Sequence, residues 1–263
     1  MKVGISGLVT PRDWSLRETL ETARAAGYEA FEVTLRDGSE IDWETPAADL
    51  AALRRMADDL GMELSALCPA SSKGLNIIAN EPAVRQEGKE RTKRALEITA
   101  ALGIDCMLMV PGAVTEEVWY DAAYERGVEG LRELAPFADQ TGVTIALEYV
   151  WNRFLLSPLE FRRFCDEIGS PRVGFYFDTG NMVIFGYPEQ WVRICGPHLK
   201  MVHFKDFKRP STWTPLGEGD VDFPAVMAEL RRIGYDSACL SEVDTSLASY
   251  EATAEAIRRI LTA

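Results

Sequence analysis

The chain has 263 residues, 47% of them apolar, and a formal net charge of −13 from 28 Lys and Arg against 41 Asp and Glu. That balance argues against nucleic acid as a partner, because such binding rests on neutralising phosphates with cationic side chains. No apolar stretch is long enough to cross a bilayer, which argues against a membrane partner.

Residues 3–6 form a short apolar run stopped by a glycine, and 14–26 place Leu16, Leu20 and Ala23 at helical spacing before Gly27. A strand over 30–35 carries Glu32 on one side and ends near Arg36. Pro46 opens a helix that runs through Leu50, Leu53, Met56 and Leu60 to Gly61. The third strand, 62–67, leads into Cys68-Pro69 and a polar loop with Ser71, Ser72 and Lys73. A long amphipathic helix follows over 81–102, then a strand over 105–110 and a helix over 119–140. The alternation continues with a strand at 143–148, a helix at 158–168, a strand at 173–178 and a helix from Pro188. It closes with the strand Leu199-Lys-Met-Val-His203, a helix at 223–233, the strand that ends at Glu242, and a helix at 247–261. Eight strand-then-helix units without a linker predict a single (β/α)8 barrel, an α/β domain spanning 1–263. A doubly wound open sheet is the alternative, but Gly4-Ile5-Ser6-Gly7 lacks the glycine spacing of a dinucleotide fold.

The five cysteines are an odd number without a CxxC pair, so no disulfide framework is expected. With a strand-like start and no leader segment, the cytoplasm is the expected compartment.

Four apolar runs end in ionisable residues: Thr144-Ile-Ala-Leu-Glu148, Val173-Gly-Phe-Tyr-Phe-Asp178, Leu199-Lys-Met-Val-His203 and Ala238-Cys-Leu-Ser-Glu242. Carboxylates are rarely buried unless paired or bound to metal. In a barrel all strand ends share one rim, and neighbouring strands lie about 4.8 Å apart. Glu148, Asp178, His203 and Glu242 are therefore expected to converge on one divalent cation. Three carboxylates and an imidazole suit Mn²⁺, Mg²⁺ or Co²⁺ better than structural zinc. Lys205, Lys208 and Arg209 form a basic cluster on an acidic chain, after the strand whose loop often holds phosphate in barrels. Trp14, Trp151 and Phe204 are candidate apolar walls for a sugar, and Asn152 and Arg153 candidate hydroxyl contacts. The glycine-rich run from Gly217 to Asp220 has turn composition, and His198 beside Pro197 reads as structural.

Several stretches carry a family resemblance: Leu147-Glu148, Trp151-Asn152-Arg153-Phe154, Phe177-Asp178-Thr179-Gly180-Asn181, Val202-His203-Phe204-Lys205-Asp206, Leu216-Gly217-Glu218-Gly219-Asp220-Val221-Asp222-Phe223 and Ser241-Glu242. They resemble the xylose-isomerase-like sugar (phosphate) isomerase and epimerase superfamily, nearest its ketose 3-epimerases and its L-ribulose-5-phosphate 3-epimerase branch. The likeness covers the chain in outline and is most specific from Glu148 to Glu242. It implies that Glu148, Asp178, His203 and Glu242 bind one divalent metal, that Glu148 and Glu242 also move the proton, and that Arg209 contacts substrate. Many free-sugar epimerases have a histidine where this chain has Asn181, which points to the sugar-phosphate branch and leaves a substrate-binding amide there.

The implied chemistry is proton abstraction beside a ketose carbonyl through an enediolate, with a carboxylate on each face to invert the carbon. The expected partner is a small sugar or sugar phosphate, with a homo-oligomer allowed. An aldose–ketose isomerase or an inosose-type dehydratase would use the same metal and bases. A metal-dependent endonuclease would want more histidines and a basic face, and a non-catalytic sugar-binding protein would not need four converging ligands.

Overall fold

The computed structural model describes residues 1–70 and 74–263. The polar loop read at Ser71, Ser72 and Lys73 lies outside the described residues. Among those described, eight parallel strands close into one barrel. They are β1 (Lys2–Ser6), β2 (Ala30–Leu35), β3 (Glu63–Pro69), β4 (Cys106–Met109), β5 (Thr144–Glu148), β6 (Val173–Asp178), β7 (Leu199–Phe204) and β10 (Ala238–Ser241). A short antiparallel hairpin, β8 (Asp206–Lys208) with β9 (Thr212–Thr214), is inserted between the last two barrel strands. Around the barrel the strands run β1 to β7 in order, then β10, which pairs back onto β1.

The helices are α1 (Leu16–Ala26), α2 (Ala47–Asp59), α3 (Pro82–Ala101), α4 (Tyr120–Thr141), α5 (Pro158–Ile168), α6 (Pro188–Cys195), α7 (Phe223–Arg232) and α8 (Tyr250–Thr262). The expected boundaries hold to within three residues, and the differences have local causes. The first helix starts at Leu16 because Ser15 caps it: Ser15 accepts the Glu18 N–H while the Glu18 carboxylate accepts the Ser15 N–H. The last starts at Tyr250, with the Ser249 side chain accepting the Ala252 N–H. Gly142 and Gly169 end α4 and α5 in the left-handed region, at φ 76° and 70°, where a side chain would be strained.

Strand side chains alternate, and the two phases bury into separate clusters. One phase, including Ile5, Phe31, Val33, Leu64, Phe175, Phe177, Val202 and Phe204, joins the large core against the helices. The other fills the lumen with Ala30, Ala66, Cys68, Cys106, Leu108, Ala146, Tyr176, Met201, Ala238 and Leu240. Two residues further along the same inward phase stand Glu32, Glu148, Asp178, His203 and Glu242. The lumen is thus apolar at its floor and ionisable at its carboxyl-terminal mouth.

Candidate metal centre

β5, β6 and β7 end in Glu148, Asp178 and His203–Phe204, and Glu242 follows β10 directly, its N–H donating to the Phe204 carbonyl at 3.0 Å. Asp178 and His203 are register partners. One ligand atom from each of Glu148, Asp178, His203 and Glu242 lies within 4.8 Å of the other three, so the four expected side chains do converge. His203 and Asp178 are fully buried, and Glu148 is 9% exposed.

Each of the four side chains is oriented by a neighbour. His203 Nδ1 faces Glu148 Oε1 at 3.3 Å, while Nε2 lies 3.1 Å from both carboxylate oxygens of Glu32. Glu32 is itself fully buried and accepts hydrogen bonds from Ser6 Oγ and Tyr176 Oη, each at 2.5 Å. A carboxylate behind the histidine fixes the tautomer that leaves Nδ1 for a metal. Asp178 Oδ1 accepts the Asn181 N–H at 2.6 Å, whereas its buried Oδ2 has no partner among the described residues. Asn181 Nδ2 donates to Tyr149 O at 3.1 Å and reaches Glu148 Oε1 at 3.4 Å. Glu242 Oε2 accepts from Lys205 Nζ at 2.5 Å.

The electrostatics follow from burial. Loss of water raises the Glu148 carboxyl to about 7, with Glu242 and Asp178 adding to the rise and His203 opposing it. Burial also raises Asp178, against the pull of Lys205. Burial disfavours charge on His203, yet Glu32 and Glu148 outweigh it and push the imidazole well above its ordinary value. Burial likewise opposes charge on Glu32, but His203 holds its carboxyl below the ordinary value. A buried carboxylate oxygen with no partner among the described residues, amid a set of three acids and an imidazole, fits a divalent cation.

Trp151 and Trp213 form one wall beside this centre, stacked at 5.2 Å and 15°, with Phe207 edge-on to both. Trp151 Nε1 donates to the Asn181 carbonyl at 3.1 Å, and Lys205 Nζ lies 4.5 Å from the Trp213 ring centre. Gly180 lets this wall close: a Cβ there would come within 2.9 Å of the Trp213 ring and 3.0 Å of Lys205. A cavity of about 380 Å³ opens beside Lys205, Trp213 and Glu242.

The other expected contacts sit further out. Asn152 donates Nδ2 to Gly112 O at 2.6 Å, and its buried Oδ1 has no partner among the described residues. Arg153 is exposed and left-handed at φ 59°. Lys208 and Arg209 both bind Asp220, at 2.9 and 3.1 Å. Phe204 forms no sugar wall: because His203 points inward, Phe204 points outward and packs on Phe223 of α7, ring centres 5.3 Å apart. His198 binds Asp166 at 2.6 Å, away from the centre.

Sequence reasoning missed Glu32, Trp213 and Asp206. Asp206 is buried and accepts the N–H groups of Phe207, Gly217, Gly219 and Val221, which fixes the glycine-rich loop under the hairpin. The available signal for Glu32 was an acid inside the apolar run of residues 30–35, two residues on from the inward Ala30.

The xylose isomerase-like TIM barrel family model matches residues 20–261. The chain belongs to that family. Within it, an L-ribulose 3-epimerase of Methylomonas sp. (strain DH-1) is 30% identical over 89% of this chain and 82% of that protein. A putative L-ribulose-5-phosphate 3-epimerase of Escherichia coli (strain K12) is 25% identical over 94% of this chain and 90% of that protein. The crystal structure of a D-psicose 3-epimerase in the presence of D-fructose shares the fold of this xylose isomerase-like barrel. Its TM-score is 0.83 at 24% identity, with all of both chains covered.

Proposed function

We propose that this chain is a divalent-metal-dependent 3-epimerase of ketoses or ketose phosphates, working as one domain. The observation that carries the reading is the convergence of Glu148 and Glu242, from β5 and from the end of β10, on one point shared with Asp178 and His203. Their family relatives include ketose and ketose-phosphate 3-epimerases. Glu148, Asp178, His203 and Glu242 would hold the cation, and the oxygen-rich donor set favours Mn²⁺, Mg²⁺ or Co²⁺. When bound, the cation would supply positive charge facing the ketose carbonyl oxygen.

The chain's own groups do the rest. One glutamate takes the C3 proton from one face of the sugar, which leaves an enediolate. The other glutamate returns a proton to the opposite face, so C3 is inverted with no net gain or loss of atoms. Lys205 fixes the Glu242 carboxylate, and Asn181 presents an amide beside Glu148. The Trp151–Trp213 wall covers the sugar and excludes water. Asn152, whose Oδ1 has no partner among the described residues, and Arg153 and Arg209 on the surrounding loops complete the proposed substrate contacts. Five buried, free cysteines support a reducing compartment such as the cytoplasm, and among the described residues no helix is long and apolar enough to cross a membrane.

The test is turnover in D₂O with saturating Mn²⁺. Solvent deuterium should enter C3 of the epimerised ketose, and Glu148→Gln or Glu242→Gln should each lower kcat by about 10²–10⁴-fold. The amide keeps a ligating oxygen but cannot accept the proton. Activity surviving in both glutamine variants would sink the two-base scheme.

A further inference from the structure

The large apolar side chains that this barrel leaves in water gather on one face. Trp119, in the loop after β4, and Leu159, in the first turn of α5, are both 70% exposed. Leu156, in the loop after β5, and Phe185 and Tyr187, in the loop after β6, are 48%, 79% and 57% exposed. The five are contiguous. Trp119, Ser157 and Leu159 line one open hollow with Tyr120 and Tyr124, and Ser157 also lines a second with Leu156, Phe185 and Tyr187. The centre of the face carries no charge. Neither Leu156-Ser157-Pro158-Leu159 nor Met182-Val183-Ile184-Phe185-Gly186-Tyr187 contains an Asp, Glu, Lys or Arg. Glu160, which lines the first hollow, is held inward, accepting the Tyr120 hydroxyl at 2.7 Å and the Leu156 N–H at 2.9 Å.

Single apolar side chains are ordinary on a protein surface, whereas a contiguous patch marks a partner. At about 150–250 Å² for a large side chain, the five leave roughly 600 Å² in water. That is the upper end of about 300–600 Å² for a monomer's largest patch. It is also most of the roughly 800 Å² that each partner buries in a stable complex, and the tyrosines of the first hollow add to it. An uncharged apolar centre with a charged rim is the composition of a protein–protein contact. The rim has both signs: Glu116, Asp121 and Glu125 beside Trp119, Arg163 beside Leu159, and exposed Arg153 on the loop that leads to Leu156. An anionic lipid surface would meet those acids and a net charge of −13, which oppose it. A projecting Phe185 next to an open hollow lets the face satisfy itself when a two-fold axis turns one copy onto another.

We propose that a second copy of this chain docks on the face of Trp119, Leu156, Leu159, Phe185 and Tyr187, the two related by a two-fold axis with their apolar centres in contact. The inference does not depend on the epimerase reading. The experiment is sedimentation velocity on the full chain. Above about 1 μM the wild type should sediment at twice the 29.3 kDa of one chain. Trp119→Glu, Leu159→Glu and Phe185→Glu each put a charge into the contact twice over, and each should raise the dissociation constant about 30-fold or more. Phe185→Ser should weaken the dimer without adding a charge. Val84→Glu makes a similar change at a 40% exposed site on α3 and should leave the dimer intact. Far-UV circular dichroism should be the same in every variant, because the replaced side chains stand in water in the single chain; if a glutamate variant misfolds, Phe185→Ser decides. Added salt should hold or tighten the dimer, since it screens the repulsion between two chains of −13. Dissociation by salt would make charge pairs the carrier and overturn the apolar contact. A wild type that stays monomeric leaves the face to a different partner and overturns the proposal. So does a dimer unmoved by all four substitutions in the face, which places the contact elsewhere, or one that Val84→Glu disrupts equally.

Discussion

Glu32 shows what the centre demands of single residues. It never reaches the ligand point, yet it holds His203 through Nε2 and is held in turn by Ser6 and Tyr176. Glu32→Gln keeps the shape and removes the charge that fixes the imidazole. Affinity for Mn²⁺ should fall about 10–100-fold, as for other partners behind a metal-bound histidine. Titration of the metal-free protein reads this directly, and unchanged affinity would make Glu32 a packing residue only. At this scale the sequence was legible where chemistry interrupts a pattern. Glu148, Asp178, His203 and Glu242 end apolar runs, and an ending is visible without knowing which face points inward. Glu32 lies mid-strand, and its role depends on the inward phase and on residues 144 and 171 positions away, Tyr176 and His203, which no local pattern reveals.

At the scale of elements, the βα alternation was readable because glycines, serines and prolines punctuate it. The β8–β9 hairpin was not, since three-residue strands show no period. One carboxylate ties it to the loop beneath: Asp206 gathers four N–H groups from the hairpin and the glycine-rich loop. Gly219 passes so close that a Cβ would lie 2.1 Å from Asp206 Oδ1. Asp206→Ala would leave these donors without their acceptor and should destabilise the protein by about 2–4 kcal/mol. Urea unfolding measures that loss. The emission of Trp213 and Trp151 should change with it, because the hairpin carries one half of their stack. By contrast, the exposed pairs of Lys208 and Arg209 with Asp220 are screened by water and add little.

The whole molecule places its acids where only a cation or a proton relieves them. In the metal-free protein the raised Glu148 carboxyl contributes stability that is present below its ordinary value of 4.5 and is lost as pH rises through about 7. Metal reverses the trend, because ligation needs the carboxylate and must displace the proton. Saturating Mn²⁺, at a hundredfold excess over Kd, should therefore stabilise the fold by about 2.7 kcal/mol above pH 7, and the same metal concentration should do much less as pH falls below it. A melting temperature whose metal response is flat with pH would remove Glu148 from the ligand set. The brace from His203 to Glu32 spans 171 residues of chain. All four candidate ligands belong to the second half of the chain, while the carboxylate that aims the histidine comes from its first eighth. On the ribosome, the segment that completes the centre is thus made long before anything it completes, and it must wait until the barrel closes. No nascent chain brings all five residues together before Glu242 is added and the barrel closes.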